Sequence, residues 1–185
     1  MTRTLVLGGA RSGKSAYAQM LASADAKPVV YIATAQARDD EMAARIDCHR
    51  HDRPASWTTV EEPLALGNAI ATHSTAGNVV LVDCLTVWLS NLLFIDGITF
   101  PEIGTIAPPP SFLRERHQFL EALQQARGDI VLVTNEVGMG IIPQGAITRW
   151  YVDEAGRLHQ AVAALCERAV WVAAGLPMVL KGISC

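Results

Sequence analysis

Charge is sparse in this chain. Only 18% of its 185 residues are Asp, Glu, Lys or Arg, and the formal net charge is −3. A sequence with no basic excess offers no electrostatic footprint for nucleic acid or for an anionic membrane. Cysteine is also scarce. Cys48, Cys84, Cys166 and Cys185 lack CxxC spacing, which argues against a disulfide framework or a zinc site and points to a reducing, cytoplasmic setting. No apolar run approaches the roughly 20 residues needed to cross a bilayer, so no integral membrane segment is expected. The opening MTRTLVLGG reads as a strand entering a glycine turn, not as the apolar core of a secretion signal. Internal repeats and long linkers are absent too, and one domain over residues 1–185 is expected.

Half of the residues are hydrophobic, a composition suited to strands buried on both faces. Short β-type runs are expected at 4–7, 29–33, 79–82, 130–134, 169–173 and 177–181. Between them lie helical patterns at 14–24, 40–51, 62–73, 86–93, 111–126 and 147–168. This alternation predicts an α/β fold with a mostly parallel sheet flanked by helices. Residues 96–110, with Gly97, Pro101, Gly104 and three consecutive prolines, break the pattern. They read as a surface excursion that ends at a helix N-cap on Ser111.

The run GGARSGKS comprises Gly8, Gly9, Ala10, Arg11, Ser12, Gly13, Lys14 and Ser15. It satisfies the P-loop spacing, and it has the required strand before it and helix after it. Its glycines let the backbone curl so that N–H groups face phosphates, and the helix N-terminus adds partial positive charge. Lys14 would reach the β/γ-phosphates, and the Ser15 hydroxyl would hold Mg²⁺. The strand VVLVD ends in Asp83, at the strand end where open α/β sheets bind ligands. Asp83 is read as holding Mg²⁺ through water, as contacting nucleotide, or as capping the next helix.

A second cluster follows strand 29–33. On the predicted helix, Arg45, His49 and Arg53 recur at i, i+4 and i+8 and so share one face. Met42 and Ile46 lie beside that stripe and anchor it. Two fixed cations favour the neutral imidazole and leave a ring nitrogen free to attack, while the same arginines neutralise phosphate oxygens. The alternative is a solvated basic face with pairs such as Glu41–Arg45. His51 points about 200° away from His49 on an ideal helix.

Taken in order, GGARSGKS, YIATA, DDEMAARI-x-x-H-x-x-x-RP, VLVDCLT, VLVTNEVGMGIIP and AGRLHQ resemble the bifunctional adenosylcobinamide kinase/adenosylcobinamide-phosphate guanylyltransferases of cobalamin synthesis. The resemblance implies a RecA-like P-loop fold and a homotrimer. It implies phosphorylation of the aminopropanol hydroxyl of adenosylcobinamide by ATP or GTP, then transfer of GMP from GTP through a guanylylated histidine, which maps to His49. Nucleotide contacts carry over to the P-loop, to Ala33, Thr34 and Ala35, and to Arg50, His51, Asp52 and Arg53. Glu61 or Glu62, and Asp83, are further contacts. Residues 135–138 either line the corrinoid site or are structural.

Other residues are expected to play ordinary roles. Cys48 is a small packed side chain. His73, His117 and His159 are surface or internally satisfied histidines. Trp57, Trp88, Trp150 and Trp171 are core or trimer contacts, and Glu115, Arg116 and Glu121 form an exposed helix face. Two other readings are a monofunctional small-molecule kinase, in which His49 only binds phosphate, and a nucleotide-binding module without turnover.

Overall fold

The computed structural model describes residues 1–36 and 54–183. The expected helix at 40–51, with Arg45, His49, Arg50, His51, Asp52 and Arg53, lies outside the described residues. Seven strands form one sheet: β1 (Arg3–Gly8), β2 (Val29–Ala33), β3 (Thr58–Glu61), β4 (Val79–Asp83), β5 (Asp129–Asn135), β6 (Arg168–Ala173) and β7 (Leu176–Lys181). Their order is β3-β2-β4-β5-β1-β6-β7. The first six are mutually parallel, and β7 alone runs antiparallel, against β6. The described helices are α1 (Lys14–Ser23), α2 (Leu66–His73), α3 (Leu85–Leu93), α4 (Pro110–Gln125) and α5 (Ala146–Leu165).

The apolar strands divide their side chains between two cores. Leu5, Leu7, Val80, Val82, Ile130 and Leu132 pack with α2 to α5 around Trp88, Phe112 and Phe119. Val6, Leu81, Val131 and Val133 face the other way, onto Ala18 and Ala22 of α1. Period-two alternation with both faces covered is why these strands read as unbroken apolar runs. On the crowded face the Trp88 indole meets Phe119 with ring centroids 4.9 Å apart, and its N–H donates to the Leu64 carbonyl at 2.8 Å.

Four expectations need correction. β3 was not anticipated, because TTVE is an edge strand that pairs only with β2 and is largely exposed, so it carries no apolar alternation. The helix expected from residue 62 begins at Leu66, since Glu62 turns its carboxylate onto the N–H groups of Leu64 and Ala65 at 2.9 and 2.8 Å. The last long helix stops at Leu165, and Arg168 already belongs to β6. Ser111 is not the N-cap. The helix opens at Pro110 with Pro109 before it, where the preset proline φ and missing N–H cost nothing. The Ser111 hydroxyl instead donates to Asp96 at 2.5 Å.

Gly67 brings α2 against α4. A Cβ there would stand 2.7 Å from backbone atoms of Gln118 and Phe119, atoms that cannot rotate aside. Gly67→Ala gains about 1 kcal/mol of helix propensity but overpacks this contact at a cost of roughly 1–3 kcal/mol. Net destabilisation is expected. A urea midpoint at or above that of the wild-type protein would contradict this account.

Candidate active site

The carboxyl edge of the sheet brings the predicted residues into one row. Glu61 pairs in register with Ala33, Ala33 with Asp83, and Gly8 with Asn135 and Val172. Gly8 ends β1, and the chain then curls into α1. A Cβ on Gly8 would lie 2.5 Å from both the Val172 carbonyl and the Ser12 hydroxyl, so only glycine permits the strand to pass so close to β6. Gly9 faces open space, and Ala10 and Arg11 are exposed. Arg11 and Gly13 hold φ of 54° and 92°; the left-handed backbone at the non-glycine Arg11 is a local cost of the kind that collects at ligand sites.

The loop is braced from two sides. The Gly175 N–H donates to the Ser12 carbonyl at 2.8 Å, and the Glu136 N–H donates to the Gly8 carbonyl at 3.1 Å. Gly175 lies in the β6–β7 turn, where Ala174 and Gly175 both take positive φ, as a tight primed hairpin turn requires. Lys14 and Ser15, both partly buried, open α1, and the Lys14 ammonium donates to the Gly9 carbonyl at 3.2 Å.

Asp83, two residues beyond Leu81 on β4, shares its face and so projects toward α1, where its carboxylate accepts the Tyr31 hydroxyl at 3.0 Å. No side chain caps α3, so of the three roles open to Asp83 the capping role is not taken. Cys84 beside it is an inert thiol, pushed up to about 11 by burial and by Asp83. Thr34 is fully buried and engaged throughout. Its N–H donates to the Asp83 carbonyl. Its hydroxyl bridges Cys84, donating to the carbonyl at 2.8 Å and accepting the N–H at 2.9 Å. Its own carbonyl accepts from Asn91. Thr34 therefore locks β2 to β4 and carries Ala33 and Ala35 to the edge. Of the two glutamates, Glu62 is committed to the turn before α2, whereas Glu61 is exposed at the end of β3.

The sequence reading missed a buried polar chain behind this row. The Thr86 and Thr134 hydroxyls lie 3.1 Å apart, and Thr134 lies 2.8 Å from His159 Nε2. Thr86 Oγ1 also accepts the Asn135 N–H at 2.6 Å. Burial lowers the His159 pKa, against the opposing pull of Glu136. The other ring nitrogen, Nδ1, stands 3.8 Å from the Glu136 carboxylate. His159 is internally satisfied, as expected. The signal for its burial was available, since it continues the inward stripe of Ala155, Leu158 and Val162.

Elsewhere the outcome is mixed. Trp88 is core, and Trp57, Trp150 and Trp171 are partly buried. Glu115 corrects the reading of an exposed face. It is 9% exposed, because it faces inward between Phe112 and Phe119 on α4. His117 and Glu121 are solvent-facing, as expected.

Residues 4–180 match the family model described as cobinamide kinase / cobinamide phosphate guanyltransferase. The chain belongs to that family. It is thus a bifunctional cobinamide kinase and cobinamide-phosphate guanylyltransferase. Similar family members include the bifunctional adenosylcobalamin biosynthesis protein CobP of Pseudomonas aeruginosa, 52% identical over 97% of this chain and 98% of that one. The bifunctional adenosylcobalamin biosynthesis protein CobU of Escherichia coli K12 is 42% identical over 96% and 98%. The fold is also that of more distant proteins. The type III secretion ATPase EscN of enteropathogenic E. coli aligns with TM-score 0.54 at 12% identity, covering 94% of this chain and 43% of that one. The flagellar accessory protein FlaH of Methanocaldococcus jannaschii aligns with TM-score 0.50 at 11% identity, covering 98% and 78%. The architecture of this cobinamide kinase/guanyltransferase is therefore a RecA-like P-loop fold.

The polar chain gives a pH prediction. Because the folded-state pKa of His159 lies below its unfolded value of about 6.5, the unfolded chain takes up a proton that the folded chain resists. Stability is then lost as pH falls through that value. Between pH 7 and 5.5 the wild-type Tm is expected to drop further than that of His159→Gln; equal drops would mean that the histidine is not held neutral.

Proposed function

We propose that the enzyme transfers two different parts of a nucleoside triphosphate at this edge of the sheet, in the order that cobalamin biosynthesis requires. First, the aminopropanol hydroxyl of adenosylcobinamide attacks the γ-phosphorus of ATP or GTP. The bond from γ-phosphorus to the β,γ-bridging oxygen breaks, the nucleoside diphosphate leaves, and the hydroxyl proton passes to solvent. Next, a ring nitrogen of His49 attacks the α-phosphorus of GTP and pyrophosphate leaves. The phosphate oxygen of adenosylcobinamide phosphate then attacks the guanylyl phosphorus, releasing His49 and forming adenosylcobinamide-GDP. A histidine suits this relay because its phosphoramidate is reactive enough to pass GMP onward.

The observation that carries the reading is the P-loop at the carboxyl edge, with Asp83 on the same face as the start of α1. Gly8, Gly9, Ala10, Arg11, Ser12, Gly13, Lys14 and Ser15 would grip the phosphates, with Ala33, Thr34, Ala35, Glu61 and Asp83 beside them. Of the two glutamates we favour Glu61, which stands in the edge row in register with Ala33 and, through it, with Asp83. Arg50, His51, Asp52 and Arg53 would complete the nucleotide contacts after the nucleophile. Mg²⁺ fits this donor set. One hydroxyl (Ser15) and one carboxylate (Asp83), completed by substrate phosphates and water, suit a hard cation that is seldom caged by protein alone. When bound, it would neutralise charge on the phosphates. We further assign the enzyme to the cytoplasm and its assembly to a homotrimer, to which the exposed Leu176, Met178 and Leu180 of β7 offer apolar surface.

Two measurements test the scheme. Incubation with α-labelled GTP should yield an acid-labile, base-stable protein–GMP bond in the wild type and none in His49→Ala. Label that never becomes covalent, or that persists in the variant, rules the guanylyl-histidine out. Lys14→Ala should depress both half-reactions by on the order of 10²-fold or more, whereas His49→Ala should retain kinase turnover. Equal loss of both activities in folded His49→Ala would contradict the division of labour.

A further inference from the structure

Asn135 ends β5, one strand from Asp83 and in register with Gly8. Side chains of β5 alternate between the two cores. Leu132 packs toward α2 to α5 and Val133 toward α1, and Thr134 faces Thr86 and His159. Asn135 therefore projects on the α1 face, the face of Asp83, Lys14 and Ser15. Its backbone is fixed on both sides. The Thr86 hydroxyl takes its N–H at 2.6 Å, and the next N–H, of Glu136, bonds to Gly8 at 3.1 Å. Its side chain is not matched by the protein. Asn135 Oδ1 is shut off from solvent without a hydrogen-bond partner, one of three such side-chain atoms among the described residues. Ser12 Oγ, inside the P-loop, is another. Leaving such a group unpaired costs about 1–3 kcal/mol unless a ligand satisfies it.

We propose that Asn135 is a phosphate-reading residue whose amide contacts the terminal phosphoryl group of the bound triphosphate, including the oxygens and ordered water around it. The inference rests on the P-loop holding that triphosphate. An amide suits the position because a half-turn about χ2 exchanges its donor and acceptor, so it can give N–H to an anionic oxygen or accept from bound water. A carboxylate there would repel the phosphate. The Thr86–Thr134–His159 chain is the positioning device, since it fixes the backbone from which the amide projects. The role is one of selectivity for the third phosphate, not of general affinity.

The test is binding of α,β-methylene GTP and α,β-methylene GDP, whose bridging carbon blocks GMP transfer to the protein, measured by calorimetry with Mg²⁺ present. In the wild type the triphosphate should bind more tightly than the diphosphate. Asn135→Ala should weaken the triphosphate about ten- to a hundredfold, the worth of a hydrogen bond to a charged group, and leave the diphosphate within about twofold. Asn135→Asp, which preserves shape, should weaken the triphosphate further, again sparing the diphosphate, with unchanged melting as the check on folding. Equal loss for both ligands, or no loss for either, overturns the role of Asn135. A wild type that binds neither analogue, or a Lys14→Ala variant that binds both as well as the wild type does, overturns instead the P-loop reading beneath it.

Discussion

Everything at the carboxyl edge depends on the absence of a side chain at Gly8. A single methyl group there would press against the Val172 carbonyl and the Ser12 hydroxyl at 2.5 Å, and β1 could not remain between β5 and β6 while turning into the loop. On its other side the Gly8 carbonyl accepts from the Glu136 N–H, joining the loop to the end of β5. The phosphate grip is therefore less a flexible glycine-rich turn than a backbone wedged between two strands and held by the hairpin behind it.

The two faces of the sheet have divided the work. Toward α1 lie the groups suited to phosphate: Lys14, Ser15, Asp83 and Asn135. Toward α5 lies a polar chain of hydroxyls and one imidazole that fixes the backbone of the strand end in front of it. Buried hydrogen-bonded networks of this kind rigidify a core because alternative arrangements leave buried donors or acceptors unmatched. Thr34 performs the same service between β2 and β4, where its hydroxyl bridges Cys84 and its carbonyl accepts from Asn91.

Much of this was legible in the sequence because the informative signals were local. The P-loop spacing, the apolar strands and the acid ending β4 each occupy a few consecutive residues, and the strands survived into the structure nearly unchanged. What failed to show was set by partners distant in sequence. β3 is a strand only because β2 offers it an edge. Glu62 and Glu61 look equivalent in TTVEEP until Glu62 is seen bonded to the turn that follows. Glu115 reads as a charged surface residue, yet its helix rotates it inward between two phenylalanines. His159 appeared isolated because Thr134 lies 25 positions away and Thr86 lies 73 positions away, brought together only by the sheet.

The strand order has a consequence for how such a protein comes into being. β1 pairs with β5 and β6, Arg3 lying opposite Ile130 and Thr4 opposite Arg168, and the loop is buttressed by Gly175. Contacts of such long sequence separation form slowly. During synthesis, which proceeds from the N-terminus, the phosphate-binding loop emerges before β5 and β6 and has no flanking strands until both have followed. The earliest-made part of the site is thus among the last to take shape, and an incompletely synthesised chain would have no formed loop with which to capture nucleotide.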